Sequence, residues 1–196
     1  MRDDNRDLGQ LFTLPNFLTV LRIILAPIFL YLYAKGDTKR AIAAFAAAAA
    51  TDGLDGLVAR ALNQKTRIGA ILDPIADKLL ATCAILALYA RDRLPLWLPA
   101  LMLGRDTAIF LGAAILQSMG RVVPMIPTRI GKYATFVLAI TVLLSLASEL
   151  ELGSYTPAHA APYVAALGLI AGQCIAISWL QYFLYFIRLA RKEQAV

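Results

Sequence analysis

Charge, histidine and cysteine are all scarce in this chain. Of its 196 residues only 16% are charged, one is histidine and two are cysteine, while 60% belong to the hydrophobic set. So little charge is incompatible with an ordinary soluble domain and with a disordered chain. Two cysteines cannot staple a small secreted fold, and Cys83 and Cys174 both lie in apolar stretches, where a thiol serves as a small hydrophobe. The lone histidine, His159, lies between Pro157 and Pro162 and is expected in a loop, so no histidine is expected to act in catalysis. No serine or cysteine has a base at a recognisable spacing, which argues against a covalent enzyme intermediate.

Long uncharged runs take the place of these groups. Ala158 to Ile187 holds no Asp, Glu, Lys or Arg, and neither does Tyr133 to Ser148. The chain reads as an all-α integral membrane protein with six transmembrane helices, near Phe17–Ala34, Lys39–Ala61, Gly69–Ala90, Leu94–Met119, Ile130–Ser148 and Pro162–Ile187. The second, third and fourth carry internal charges and are expected to be weak in hydropathy. Ala46–Ala50 in the second is a run of small residues that lets neighbouring backbones approach closely.

With both termini on one face, eleven Lys and Arg fall on that face, five on the other and three within spans. The richer face is cytoplasmic by the positive-inside rule, which makes this a multi-pass protein of the cytoplasmic (inner) membrane with both termini inside. Residues 1–14 form a juxtamembrane segment, in which Leu8, Leu11 and Phe12 beside Arg2 and Arg6 suit either a short helix on the membrane surface or a frayed polar tail. Residues 15–196 form one membrane domain. A charged start followed by an apolar run of more than signal-peptide length predicts that the N-terminus is not cleaved. The net charge of +6 needs no nucleic acid partner, since anionic membrane lipids and phosphate-bearing substrates account for it.

Four carboxylates stand inside the second and third spans: Asp52, Asp55, Asp73 and Asp77. Each costs about 2.5–3.5 kcal/mol at mid-membrane even on insertion scales, so each needs a reason. Asp52, Asp55, Gly56, Ala59 and Arg60 make one stripe of a helix, and Gly69, Asp73 and Asp77 recur every four residues on the next. The short connection between the spans makes them antiparallel neighbours, so that the stripes can converge in the cytoplasmic half of the membrane. Four repelling carboxylates at low dielectric either hold protons or bind cations. Oxygen ligands suit hard divalent ions, and two of these balance four charges, as in two-metal phosphoryl transfer; Mg²⁺ or Mn²⁺ is expected ahead of Ca²⁺. Pro74 removes the donor to the Ala70 carbonyl and either kinks the third helix or sits harmlessly near its start.

The stretch from Asp52 to Asp77 resembles the signature of the CDP-alcohol phosphotransferase family, D-x2-D-G-x2-A-R-x8-G-x3-D-x3-D, and matches it at all eight specified positions in twenty-six residues. Pro15, Asn16, Thr19 and Arg22 also resemble the family's first-helix segment. The resemblance implies attack of an acceptor hydroxyl on CDP-diacylglycerol, giving a phosphodiester lipid and CMP. It implies Asp52, Asp55, Asp73 and Asp77 as metal ligands, Asp77 as the catalytic proton acceptor, a CDP pocket lined by Gly56, Ala59 and Arg60, and a homodimer.

The acceptor is read from the later spans. Asn63 to Gly69, Ile130-Gly131-Lys132 and Trp179 to Tyr182 are similar to phosphatidylglycerophosphate synthases, whose acceptor is glycerol 3-phosphate. Arg105-Asp106 and Gly131 to Phe136 are instead similar to CMP-forming cardiolipin synthases, whose acceptor is phosphatidylglycerol, and Ala113 departs from the first branch, which has arginine there. Phosphatidylglycerol is the leading expectation and glycerol 3-phosphate the alternative. Arg105, Asp106, Arg129, Lys132 and Arg188 are the acceptor-binding candidates; a structural Arg105–Asp106 pair and lipid-anchoring roles for Arg188 and Lys132 stand beside that reading. A proton or divalent-cation transporter is the rival class, but it needs ionisable groups at several depths, not four in one leaflet.

Overall fold

Each apolar run of the sequence folds as a helix. The computed structural model describes residues 13–61, 67–119, 128–150 and 156–191, with the side chains of residues 15, 52–61, 67, 68, 70, 71, 190 and 191 outside that description. Among the described residues there are six α-helices: α1 Leu14–Ala34, α2 Thr38–Ala61, α3 Arg67–Ala90, α4 Trp97–Ser118, α5 Arg129–Ser148 and α6 Pro157–Arg191. Four are long and apolar enough to cross a membrane, over Asn16–Ala34, Trp97–Ser118, Arg129–Ser148 and Pro157–Leu189. The helix α4, expected to be weak, qualifies in spite of Arg105 and Asp106, with a mean hydropathy of 1.4. The other two helices, α2 and α3, carry the four carboxylates, and the side chains from 52 to 61 on α2 lie outside the description. The expected surface helix within residues 1–14 lies outside the described residues, except that Leu14 already belongs to α1.

Contacts divide the chain into two compact units, Met1–Arg91 and Asp92–Val196. In the first, α1 ends in a Schellman turn: the Gly36 N–H donates to Tyr33 O and the Asp37 N–H to Leu32 O, both at 3.0 Å. Gly36 sits at φ +87°, where a side chain would be strained. Asp37 then caps α2, accepting from the Arg40 N–H at 3.4 Å on its carboxylate. The corner is fastened to the end of α3 by Arg91, which donates to Thr38 Oγ1 at 2.7 Å and lies over the Tyr33 ring.

The helix α1 packs extensively against both α2 and α3. Its buried stripe is Asn16, Thr19, Arg22, Ala26, Phe29 and Tyr33, at helical spacing. On α2 the facing residues are small, Ala41 and Ala48, and leave room for Phe29, which meets Phe45 at a ring separation of 5.1 Å. Pro74 lies inside α3, which runs through it without interruption.

In the second unit, α4 and α5 both pack against α6. The helix α4 begins at Trp97, three residues later than expected, because Asp92 takes a positive φ of 56° and Pro95 follows; Leu94 is buried outside the helix. The helix α5 is capped by Thr128, whose Oγ1 accepts from the Gly131 N–H at 3.0 Å. The helix α6 begins at Pro157 and not at Pro162, since proline is well suited to the first helical position. His159 is therefore in its first turn rather than in a loop, with Nδ1 at 2.8 Å from Thr156 Oγ1. Two close contacts along α6 fix its register with α4: an added Cβ at Gly172 would lie 2.4 Å from the Trp97 ring, and one at Gly112 would lie 2.7 Å from the Phe186 ring. Both partners advance together, so α4 and α6 are parallel.

Candidate active site

The first unit gathers its polar groups on the buried stripe of α1. Thr19 Oγ1 donates to Asp73 Oδ1 at 2.6 Å, and the Arg22 guanidinium forms an ion pair with Asp77 Oδ1. The arginine side chain is fully buried whereas that of Asp77 is 57% exposed, so the carboxylate stands at the mouth of the cluster and its cation behind it. Contacts at Thr19 and Arg22 step along α1 as Asp73 and Asp77 step along α3, which makes these helices parallel.

The pairing of Phe29 with Phe45 sets the register of the antiparallel helix α2. Counting seven residues back along α1 and seven forward along α2 puts the backbone of Asp52 level with Arg22, and that of Asp55 level with Thr19. The four aspartates thus fall on two levels one helical turn apart, each level holding one position from α2, one polar residue of α1 and one aspartate of α3. The side chains of Asp52, Asp55, Gly56, Ala59 and Arg60 lie outside the described residues, and among the described side chains no group of three or more metal-binding residues is formed.

This donor set fits a hard divalent cation. Asp73 and Asp77 are one turn apart on α3, they offer only oxygen, and Asp77 is open on one side. The extensive contacts among the described residues are those of α1 with each carboxylate helix, and the facing stripes expected on α2 and α3 fall largely on side chains outside the description. Thr19 and Arg22 were noted in the sequence only as part of a first-helix segment. Their signal was a polar residue every three positions, Asn16, Thr19 and Arg22, on an otherwise apolar helix.

The second unit has its own polar node. Arg105 on α4 is largely covered, with its side chain 14% exposed, and approaches Asp106 at 3.5 Å. Its terminal nitrogen lies so close to the backbone of α5 that an added Cβ on Gly131 would be 2.7 Å from it. Thr128 Oγ1 and Ser178 Oγ, the latter fully buried, are 3.2 Å apart beside the same glycine. Arg105 Nε is buried without a hydrogen-bond partner among the described residues. The start of α5, with exposed Arg129 and Lys132, therefore meets the middle of α4 and α6. Arg188 does not join this group: it is ten residues beyond Ser178 on α6, roughly 15 Å further along the axis. The five acceptor candidates thus divide into four that share a level and one that does not.

Comparison with known proteins bears on the whole chain. The family model described as CDP-alcohol phosphatidyltransferase matches residues 12–187. A CDP-diacylglycerol--glycerol-3-phosphate 3-phosphatidyltransferase of Aquifex aeolicus is 33% identical over 181 residues, 91% of this chain and 98% of its own length. A cardiolipin synthase (CMP-forming) of Streptomyces coelicolor is 30% identical over 197 residues, 95% of this chain and 86% of its own. A cardiolipin synthase (CMP-forming)/mitochondrial hydrolase fusion protein of Schizosaccharomyces pombe is 41% identical over 108 residues, 55% of this chain; the match spans 18% of that longer protein.

Proposed function

The chain belongs to the CDP-alcohol phosphatidyltransferase family, and from that premise we propose that it transfers the phosphatidyl group of CDP-diacylglycerol to the hydroxyl of phosphatidylglycerol, releasing CMP and forming cardiolipin. The observation that carries the reaction is the meeting of the acidic signature with the buried stripe of α1, on two levels of one three-helix unit.

Asp52, Asp55, Asp73 and Asp77 would hold two divalent cations, Mg²⁺ or Mn²⁺, whose charge when bound polarises the diphosphate and acidifies the acceptor hydroxyl. The exposed Asp77 carboxylate takes the proton as the acceptor oxygen bonds to the phosphatidyl phosphorus. The bond from that phosphorus to the bridging oxygen breaks, and CMP leaves with the electron pair. Gly56 and Ala59 let the nucleotide approach the backbone of α2, and Arg60 pairs with its phosphates. Arg105 and Asp106, with Arg129 and Lys132 on the same level, bind the acceptor. The under-satisfied Arg105 guanidinium supports that role, because a phosphate oxygen would give its Nε an acceptor. Arg188 lies a different distance along α6 and is better suited to anchoring in lipid headgroups.

Ala113 favours the lipid acceptor. It is 4% exposed and packed within the second unit, so no cation stands where the glycerol 3-phosphate branch has one. Glycerol 3-phosphate remains the second reading, favoured by the near full-length match to the Aquifex protein. In the membrane, all six helices span. Both termini and the carboxylates face the cytoplasm, and the chain works as a homodimer.

The test is CMP release by purified protein with CDP-diacylglycerol and Mg²⁺ or Mn²⁺, offering phosphatidylglycerol and glycerol 3-phosphate in parallel and identifying the lipid formed. Cardiolipin is the expected product. Phosphatidylglycerophosphate would transfer the assignment to the second reading, and no CMP with either would remove the reaction.

A further inference from the structure

The proposed reaction gives Arg22 no part, yet Arg22 is among the largest fully buried side chains of the molecule. A guanidinium in a membrane-embedded core is expensive, so it needs a fixed anionic partner. That partner is Asp77 on α3. The two halves of the pair differ in exposure. The arginine side chain is fully buried, whereas the carboxylate is 57% exposed. The contact one turn away on this face of α1 is neutral, a threonine hydroxyl on Asp73. A full positive charge is therefore applied to one of the two levels, the level on which the backbone of Asp52 also lies.

We propose that Arg22 is the resident counter-charge of the carboxylate site: without a cation it holds Asp77 in place, and a divalent cation binds by taking the Asp77 oxygen from it. The proposal rests on the reading of Asp77 as a cation ligand. Arg22 is a positioning residue in this scheme and touches neither nucleotide nor acceptor. Competition from a charge that cannot leave keeps cation binding weaker than bare carboxylates would make it. It also keeps the carboxylates from repelling one another apart while the site waits for its ion.

The test is Mn²⁺ binding to the full chain in detergent, without nucleotide or lipid substrate, with the free ion followed by electron paramagnetic resonance. Saturable binding weakened by Asp77→Asn is the expected wild-type result. No saturable binding, or binding indifferent to Asp77→Asn, overturns the ligand reading itself and the role of Arg22 with it. Given that binding, Arg22→Gln should bind Mn²⁺ about tenfold more tightly or better, while Arg22→Lys, which keeps the charge, stays within about threefold of wild type. Unchanged or weaker binding by Arg22→Gln would overturn the counter-charge role and leave the ligand reading intact. Should that variant not fold, guanidinium ¹⁵N resonances of the wild type decide: the Arg22 signal, assigned by its loss in Arg22→Lys, should move as Mg²⁺ saturates the site. A signal that does not move overturns the proposal.

Discussion

Thr19 on α1 donates its hydroxyl proton to Asp73 on α3 at 2.6 Å, across 54 positions of sequence. The bond fixes one oxygen of a carboxylate proposed to hold a cation. Thr19→Val keeps the shape and removes the donor. A hydrogen bond to a charged group contributes about 1.5–3 kcal/mol, so kcat/KM for CMP release should fall about tenfold or more. Thr19→Ser should restore most of it. Equal activity in Thr19→Val and wild type would show that Asp73 needs no such support.

Asp77→Asn removes the proton acceptor and one anionic oxygen while leaving the size of the side chain almost unchanged. CMP release should drop by about 10²–10⁴-fold, the usual contribution of a positioned base. Binding of CDP-diacylglycerol, measured separately, should be largely retained. Near-normal turnover would take the catalytic role away from Asp77.

Chelation should silence turnover and be reversible. EDTA-treated protein in metal-free buffer is expected to release no CMP, and added Mg²⁺ or Mn²⁺ to restore release. Activity that persists in rigorously metal-free buffer would contradict the cation reading of the four aspartates.

Gly172→Ala bears on the fold of the second unit. The added Cβ would lie 2.4 Å and 2.8 Å from two atoms of the Trp97 ring, closer than real contacts allow. Either the indole or the helix must shift, which costs about 1–3 kcal/mol in a packed interior. The melting temperature in detergent should fall by several degrees, and Trp97→Phe should relieve part of the loss. An unchanged melting temperature would mean that the α4–α6 seam is looser than its contacts indicate.

The six helices were legible in the sequence because apolar runs and charged breaks are local signals. Helix ends were less so: α6 starts at Pro157 because a proline suits a first turn, and Pro162, the start that the sequence predicts, is carried within the helix. The acidic stripe was legible from spacing alone. The role of α1 was not, since a single arginine in an apolar run reads as a charge to be tolerated until its partner 55 positions away is known. The level of α5 against α4 is a tertiary fact without a local signal. Arg105 meets Gly131 only because the helices are offset, and that offset separates Arg188 from residues that sequence counting had grouped with it.

The corner from Lys35 to Asp37 has a consequence for how the chain enters a bilayer. A Schellman turn closed by Gly36, followed at once by the Asp37 cap, leaves no slack between α1 and α2. The helix α2 carries Asp52 and Asp55 within it, whereas α1 carries the single charge of Arg22. Bound so tightly, the two partition together as a helical hairpin, and the apolar half draws in the half that carries Asp52 and Asp55. Lengthening that corner with flexible residues would leave every contact of the finished fold available, yet would uncouple the two insertion events on which those contacts depend.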